Sequence, residues 1–193
     1  MEIQNGRPAD ESGRLPKEIA VYNLLERLDI PFARADHAAA FTMEACESIS
    51  AALQTPVCKN LFLCNRQKTN FYLLLMPADK PFRTKEITSQ LGCARLSFAS
   101  EDAMEQLLQL TPGSATIFGL MHDTENRVQL LVDRDLLGEA TFGCHPCINT
   151  TQTYGNVTAV RIICDNTSSS SDVFDKLTTA LHHPYTIVTL KGE

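Results

Sequence analysis

The chain has 193 residues, 44% of them hydrophobic, which is enough to enclose one sizeable core and leaves little room for a second independent one. A formal net charge of −6 disfavours a general polyanion binder, and no apolar run approaches the roughly 20 residues of a membrane span. Met1-Glu2-Ile3-Gln4-Asn5-Gly6 lacks the layout of a signal peptide, so the seven cysteines read as reduced thiols of a cytoplasmic protein.

Residues 1–15 are polar and carry Gly6, Pro8 and Gly13, the composition of a flexible N-terminal arm, and residues 16–193 read as a single domain. Pro16 opens a helix on which Ile19, Tyr22, Leu25 and Leu28 recur at helical spacing until Pro31 stops it. Phe32 to His37 reads as a short strand. Thr42 is an N-cap candidate for a second helix, with Ala45, Ile49 and Leu53 on one face, that ends before Pro56. Two apolar runs, Val57 to Cys64 and Phe71 to Met76, flank a polar stretch and predict a hairpin.

Further along, Thr84 to Leu91 and Ser100 to Leu110 are short helices on either side of a strand at Arg95 to Phe98. Val128 to Val132, Thr158 to Cys164 and Tyr185 to Leu190 are strand-like, and the serine run 168–171 leads into a helix through Val173, Leu177 and Leu181. Strands joined by both hairpins and helices, without regular alternation, predict an α+β domain built on one curved mixed sheet. Lys59, Arg66, Lys68, Lys80, Arg83, Lys85 and Arg95 concentrate cations in the middle third, the pattern of a solvated face or of a local basic rim.

Few local patterns carry chemistry. Cys144-His145-Pro146-Cys147 has metal or redox spacing, but no second C-x-x-C exists, and His37, His122, His182 and His183 are not spaced to complete a finger. There is no G-x-S-x-G elbow, P-loop or G-x-G-x-x-G; Thr111-Pro112-Gly113-Ser114-Ala115 holds one glycine only. Lys59 inside an apolar run reads first as a snorkelling surface residue.

A series of segments gives these residues context. Pro31-Phe32-Ala33-Arg34-Ala35-Asp36-His37, Phe41-Thr42-Met43-Glu44 and Cys58-Lys59-Asn60-Leu61-Phe62-Leu63-Cys64-Asn65-Arg66 are followed by Leu91 to Ala99, Leu110 to Leu120 and Phe142 to Thr150. Their order and spacing, over roughly residues 19–160, resemble the bacterial prolyl-tRNA editing proteins, in the superfamily of the YbaK domain and the insertion domain of prolyl-tRNA synthetase. The resemblance implies a curved, barrel-like sheet surrounded by helices. It also implies a free-standing deacylase that hydrolyses alanine from tRNA for proline, without cofactor or metal, with the tRNA acceptor end as partner and transient association with prolyl-tRNA synthetase.

By the same resemblance, Lys59 holds a phosphate or hydroxyl of the terminal adenosine, Asn60 adds a directional hydrogen bond, and His145 orients substrate or water. Backbone N–H groups at Gly113 and Ser114 stabilise the oxyanion, and Thr42, Phe118, Gly119 and Asn149 make further substrate contacts. Ile117 and Cys147 stand where the family commonly has proline and asparagine. Three other readings remain: a deacylase for cysteine or serine on a mischarged tRNA, a non-catalytic tRNA-binding module, and a zinc or redox protein using Cys144 and Cys147.

Overall fold

The computed structural model describes residues 2–37, 43–55, 58–148, 157–163 and 170–192. Part of the expected arm is paired: β1 (Ile3–Asn5) lies antiparallel to β2 (Phe32–His37), with Ile3 opposite Ala35. Arg7 then reaches Glu11 and Glu26, and Arg14 reaches Glu18 and Asp36, so ion pairs tie down the residues that follow.

Helix α1 (Pro16–Arg27) begins at its proline, where a missing N–H costs nothing because the first helical amides have no intrahelical acceptor. It buries Val21, Tyr22, Leu24 and Leu25, and the chain leaves it through Asp29, whose φ of 51° is left-handed. Helix α2 (Met43–Leu53) covers β2 with Ile49 and Leu53, which pack on Ala35 and Ala159. Its expected cap, Thr42, lies outside the described residues.

The hairpin of β3 (Lys59–Asn65) and β4 (Phe71–Met76) forms as anticipated, closed by Asn65, whose side-chain oxygen accepts the N–H groups of Thr69 at 2.9 Å and Asn70 at 3.1 Å. Helix α3 (Thr84–Leu91), strand β5 (Leu96–Phe98) and helix α4 (Glu101–Leu108) follow; Ser100 caps α4 by accepting the Ala103 N–H at 3.3 Å. A 3₁₀ helix (Ile117–His122) leads to β6 (Val128–Asp133). Then come β7 (Thr141–Cys144), β8 (Val157–Ile163), α5 (Ser170–Leu181) and β9 (Tyr185–Val188).

The described strands form two sheets instead of the single curved one expected, and no closed barrel is seen among them. One is antiparallel, in the order β1-β2-β8-β7; the other is mixed, in the order β5-β3-β4-β6-β9, with β4, β6 and β9 parallel. The main core fills the space between the sheets with Phe32, Phe62, Leu73, Leu130, Phe142 and Val160, and α5 adds Phe174, whose ring stacks on Phe142 at 4.7 Å. A second cluster, including Leu63, Leu74, Ile87 and Leu96, covers the other face of the mixed sheet under α3. Covered on both faces, β4 is buried at every position, as a central strand should be. Among the described residues no helix is long and apolar enough to cross a membrane.

Candidate active site

The site arises from a gap along one edge of β3. Backbone groups of a strand alternate in direction. The Asn65 N–H donates to the Asn70 carbonyl, so odd-numbered residues face β4. Even-numbered residues face the opposite edge: Cys58 donates its N–H to the Gly143 carbonyl of β7 at 2.7 Å, and the Phe62 carbonyl accepts the Ala99 N–H at 2.9 Å. Strand β5 pairs with β3 only from Leu63 to Asn65. Asn60 is the even-numbered residue left between β7 and β5, and a cavity of about 700 Å³ opens there, lined by Cys58 to Phe62, Phe98, Ala99, Gly113 and His145, among others.

At one end of this cavity the polar groups are anchored from behind. Lys59 donates through Nζ to the Lys80 carbonyl at 2.9 Å. Lys80 is itself clamped: its ammonium contacts Asp133 at 2.8 Å, Asp135 at 2.7 Å and the Leu190 carbonyl at 2.7 Å, and Asp133 is fully buried. The turn that holds Lys59 is thus fixed by a desolvated ion pair. Asn60 donates through Nδ2 to the Cys58 carbonyl at 3.0 Å, which sets the orientation of its amide and leaves Oδ1 buried without a partner among the described residues. An acceptor in that state costs about 1–3 kcal/mol unless a ligand donor meets it.

His145 follows β7 directly. Its Nδ1 lies 3.4 Å from the Thr158 carbonyl, which can only accept, so Nδ1 carries the proton and Nε2 is the accepting nitrogen. Burial pushes the ring's pKa down to about 4; the Thr158 carbonyl opposes this, and His37, whose ring centre is 6.0 Å away, adds to it. The imidazole is therefore neutral at physiological pH. Thr158 is held in turn, its hydroxyl lying 2.9 Å from Glu18 and 2.7 Å from Asp36, with Arg14 bridging the same two carboxylates. Burial pushes the Asp36 carboxyl up, but hydrogen bonds from Arg14 and Thr158 outweigh it and hold the pKa at about 2.

The glycine loop meets the cavity through Pro112, Gly113 and Ala115. Gly113 has a φ of 87°, which a side chain would strain. Ser114 does not line the cavity. It is buried, its N–H donates to the Thr111 carbonyl at 3.0 Å, and its hydroxyl donates to that carbonyl at 2.8 Å and accepts the Thr111 N–H at 3.1 Å. Its groups are committed to shaping the turn, not to presenting an amide to substrate. Phe118 and Gly119 likewise sit in the core and not in the cavity wall: Phe118 is fully buried, and a Cβ on Gly119 would come within 2.6 Å of Leu110 Cδ1. Thr42 and Asn149 lie outside the described residues. The structure therefore brings together Lys59, Asn60, Gly113 and His145 of the sequence candidates.

The cysteines of the C-x-x-C pattern belong to the core beneath the site. Cys58, Cys144 and Cys147 are buried free thiols, and burial pushes Cys58 and Cys147 up to about 12, so they remain protonated and weakly nucleophilic. Cys147 occupies the left-handed region at φ 64°. Among the described residues no group of three His, Cys, Asp or Glu side chains is arranged to hold a metal ion. Ile117, at the position where the sequence departs from the expected proline, is fully buried and anchors the far side of the glycine loop.

Phe98, Ala99 and Met104, which carried no role in the sequence, also line the cavity, together with Asp79 and Glu101. On β5, Leu96 is buried while Phe98, two residues on and on the same face, is exposed, because the strand ends there before Ser100.

The chain has recognisable relatives among known proteins. The model of the aminoacyl-tRNA editing domain matches residues 37–162. The prolyl-tRNA editing protein ProX of Acetoanaerobium sticklandii is 32% identical over 127 residues, covering 66% of this chain and 77% of the relative. Prolyl-tRNA synthetase associated domain-containing protein 1 of Danio rerio is 32% identical over 137 residues, covering 70% and 73%. A solved structure assigned as a trans-editing enzyme for prolyl tRNA synthetase superposes with a TM-score of 0.60 over 91% of this chain and 98% of its own; at 14% identity it speaks for the fold alone.

Proposed function

Since this chain belongs to the aminoacyl-tRNA editing domain family, we propose that it is a trans-editing deacylase that hydrolyses the ester joining alanine to tRNA for proline. The observation that carries this reading is the meeting of Lys59, Asn60, Gly113 and His145 in one cavity at the break in the β3 edge. A synthetase pocket that holds proline cannot exclude the smaller alanine, because a missing methylene discriminates by only about 1–3 kcal/mol. A second site that admits the methyl group and refuses the ring removes the error.

The residues divide the work by their protonation and position. Lys59, held by the Lys80 carbonyl, has ammonium protons to spare for a phosphate or hydroxyl of the terminal adenosine. Asn60 offers an unused buried acceptor to a substrate donor such as the α-ammonium or a ribose hydroxyl. Neutral His145 accepts through Nε2 and orients the attacking water or the ribose hydroxyl. The turn at Gly113, with Ser114 holding it from behind, meets the ester carbonyl, and its backbone dipoles stabilise charge as it develops on the carbonyl oxygen. Water attacks, the ester C–O bond breaks, the tRNA hydroxyl leaves with a proton, and no covalent enzyme intermediate forms. The partner is the acceptor end of tRNA, met in the cytoplasm in the company of prolyl-tRNA synthetase.

Single-turnover hydrolysis of tRNA for proline charged with alanine, serine, cysteine or proline tests the reading. Alanine is expected to be released fastest and proline to be spared; preferential release of serine or cysteine assigns the cavity to another error, and binding without any release makes the protein a tRNA-binding module.

A further inference from the structure

Phe98 is 63% exposed, one of two large hydrophobic side chains so exposed among the described residues, and it lines the same cavity as Lys59 and His145. Strand β5 ends at this residue, opposite Leu63, and its ladder with β3 stops there. Phe82 meets the ring edge-on, with centroids 6.1 Å apart and planes at 60°, which leaves a face of Phe98 for another partner. The adjoining wall is formed by Ala99, Met104 and Pro112. A cavity of about 700 Å³ is far larger than an alanyl group needs and is in the range that encloses a whole nucleoside ester.

Resting on the deacylase reading, we infer that Phe98 is the stacking platform for the unpaired base at the 3′ end of the tRNA. The ester then lies toward Asn60 and His145 and the base toward β5, with Lys59 on the sugar or phosphate between them. A flat aromatic face suits this occupant because every base presents a π surface, and an unpaired terminal nucleotide has no neighbour on its outer side. Exposed Arg83 follows Phe82 in the chain, and exposed Arg95 opens the turn into β5, so cations accompany the aromatic pair on an otherwise acidic protein. The other exposed large hydrophobic, Ile187 on β9, lines no part of this cavity.

The test uses uncharged tRNA for proline with 2-aminopurine in place of its terminal adenine, whose fluorescence is quenched by stacking. Wild-type protein should quench it on binding. Phe98→Leu, which keeps the apolar volume and loses the flat ring, should weaken binding by about tenfold and abolish most of the quench, whereas Phe98→Trp should retain both. Equal binding and quenching by wild type and Phe98→Leu, or wild-type binding without a quench, overturns the platform. Because this probe carries no ester, the result is separate from the deacylase reading: quenching without hydrolysis of alanyl-tRNA sinks the reaction and keeps the platform. Where alanyl-tRNA is hydrolysed, Phe98→Leu should raise KM about tenfold with kcat within about twofold of wild type.

Discussion

The two ends of the cavity are built on opposite principles. At the polar end, each group is held from behind: Lys59 by the clamped Lys80, His145 by Thr158 and its carboxylates, Gly113 by the Ser114 turn. At the apolar end, Phe98 stands exposed with one edge-on neighbour. Preorganised polar groups gain most from charge that develops in a reaction, whereas an exposed aromatic gains from a partner that covers it. Substitutions at the polar end should therefore damage stability and turnover together, and those at the apolar end should damage binding alone.

The largest effect expected is on the clamp. Lys80→Ala leaves the fully buried Asp133 without its cation, and the free energy of unfolding should fall by about 3–5 kcal/mol in urea titrations. A change below about 1 kcal/mol would mean that Asp133 is compensated from elsewhere.

His145 links stability to acid. Its folded pKa, about 4, lies below the ordinary value of 6.5, so the unfolded chain binds the extra proton first; stability is full above pH 6.5 and declines as pH falls toward 4, by about 3 kcal/mol for this group. The His145→Phe protein should lose that part of the decline. The wild-type deacylation rate should also show no break near pH 6.5, because the ring stays neutral through that range.

Gly113→Ala forces a methyl group into the left-handed region at φ 87° and should cost roughly 1–2 kcal/mol in stability, together with a fall in kcat as the turn shifts. At the small end, Ile187→Thr should change stability by less than about 0.5 kcal/mol and leave tRNA binding intact. Equal losses at Ile187 and Phe98 would erase the contrast between a cavity-lining exposed ring and an exposed side chain elsewhere.

Local chemistry made most elements legible before any coordinates. Pro16 and Pro31 bound α1, the polar stretch 65–70 closes the β3–β4 hairpin, and Ser100 caps α4. The division into two sheets was not legible, because it depends on pairing between distant segments, such as Phe32 with Ile162, and on the single bond from Cys58 to Gly143. Strand β1 escaped notice because three residues pair through backbone groups that leave no side-chain pattern. At the site, Lys59 on its own looked like a surface lysine, and only the surrounding segments gave it a role. Ser114, Phe118 and Gly119 illustrate the reverse: the resemblance implied substrate contact, while in the structure Ser114 is buried in the turn and Phe118 and Gly119 in the core. Phe98 was missed because alternation cannot show where a neighbouring strand stops.

The most direct measurement is single-turnover release of alanine from alanyl-tRNA for proline by wild type and by Lys59→Ala. Wild type should hydrolyse the ester far faster than buffer alone, and Lys59→Ala should be slower by at least about tenfold, since hydrogen bonds to charged groups contribute about 1.5–3 kcal/mol. Wild-type protein that leaves the ester at the uncatalysed rate would contradict the deacylase assignment outright.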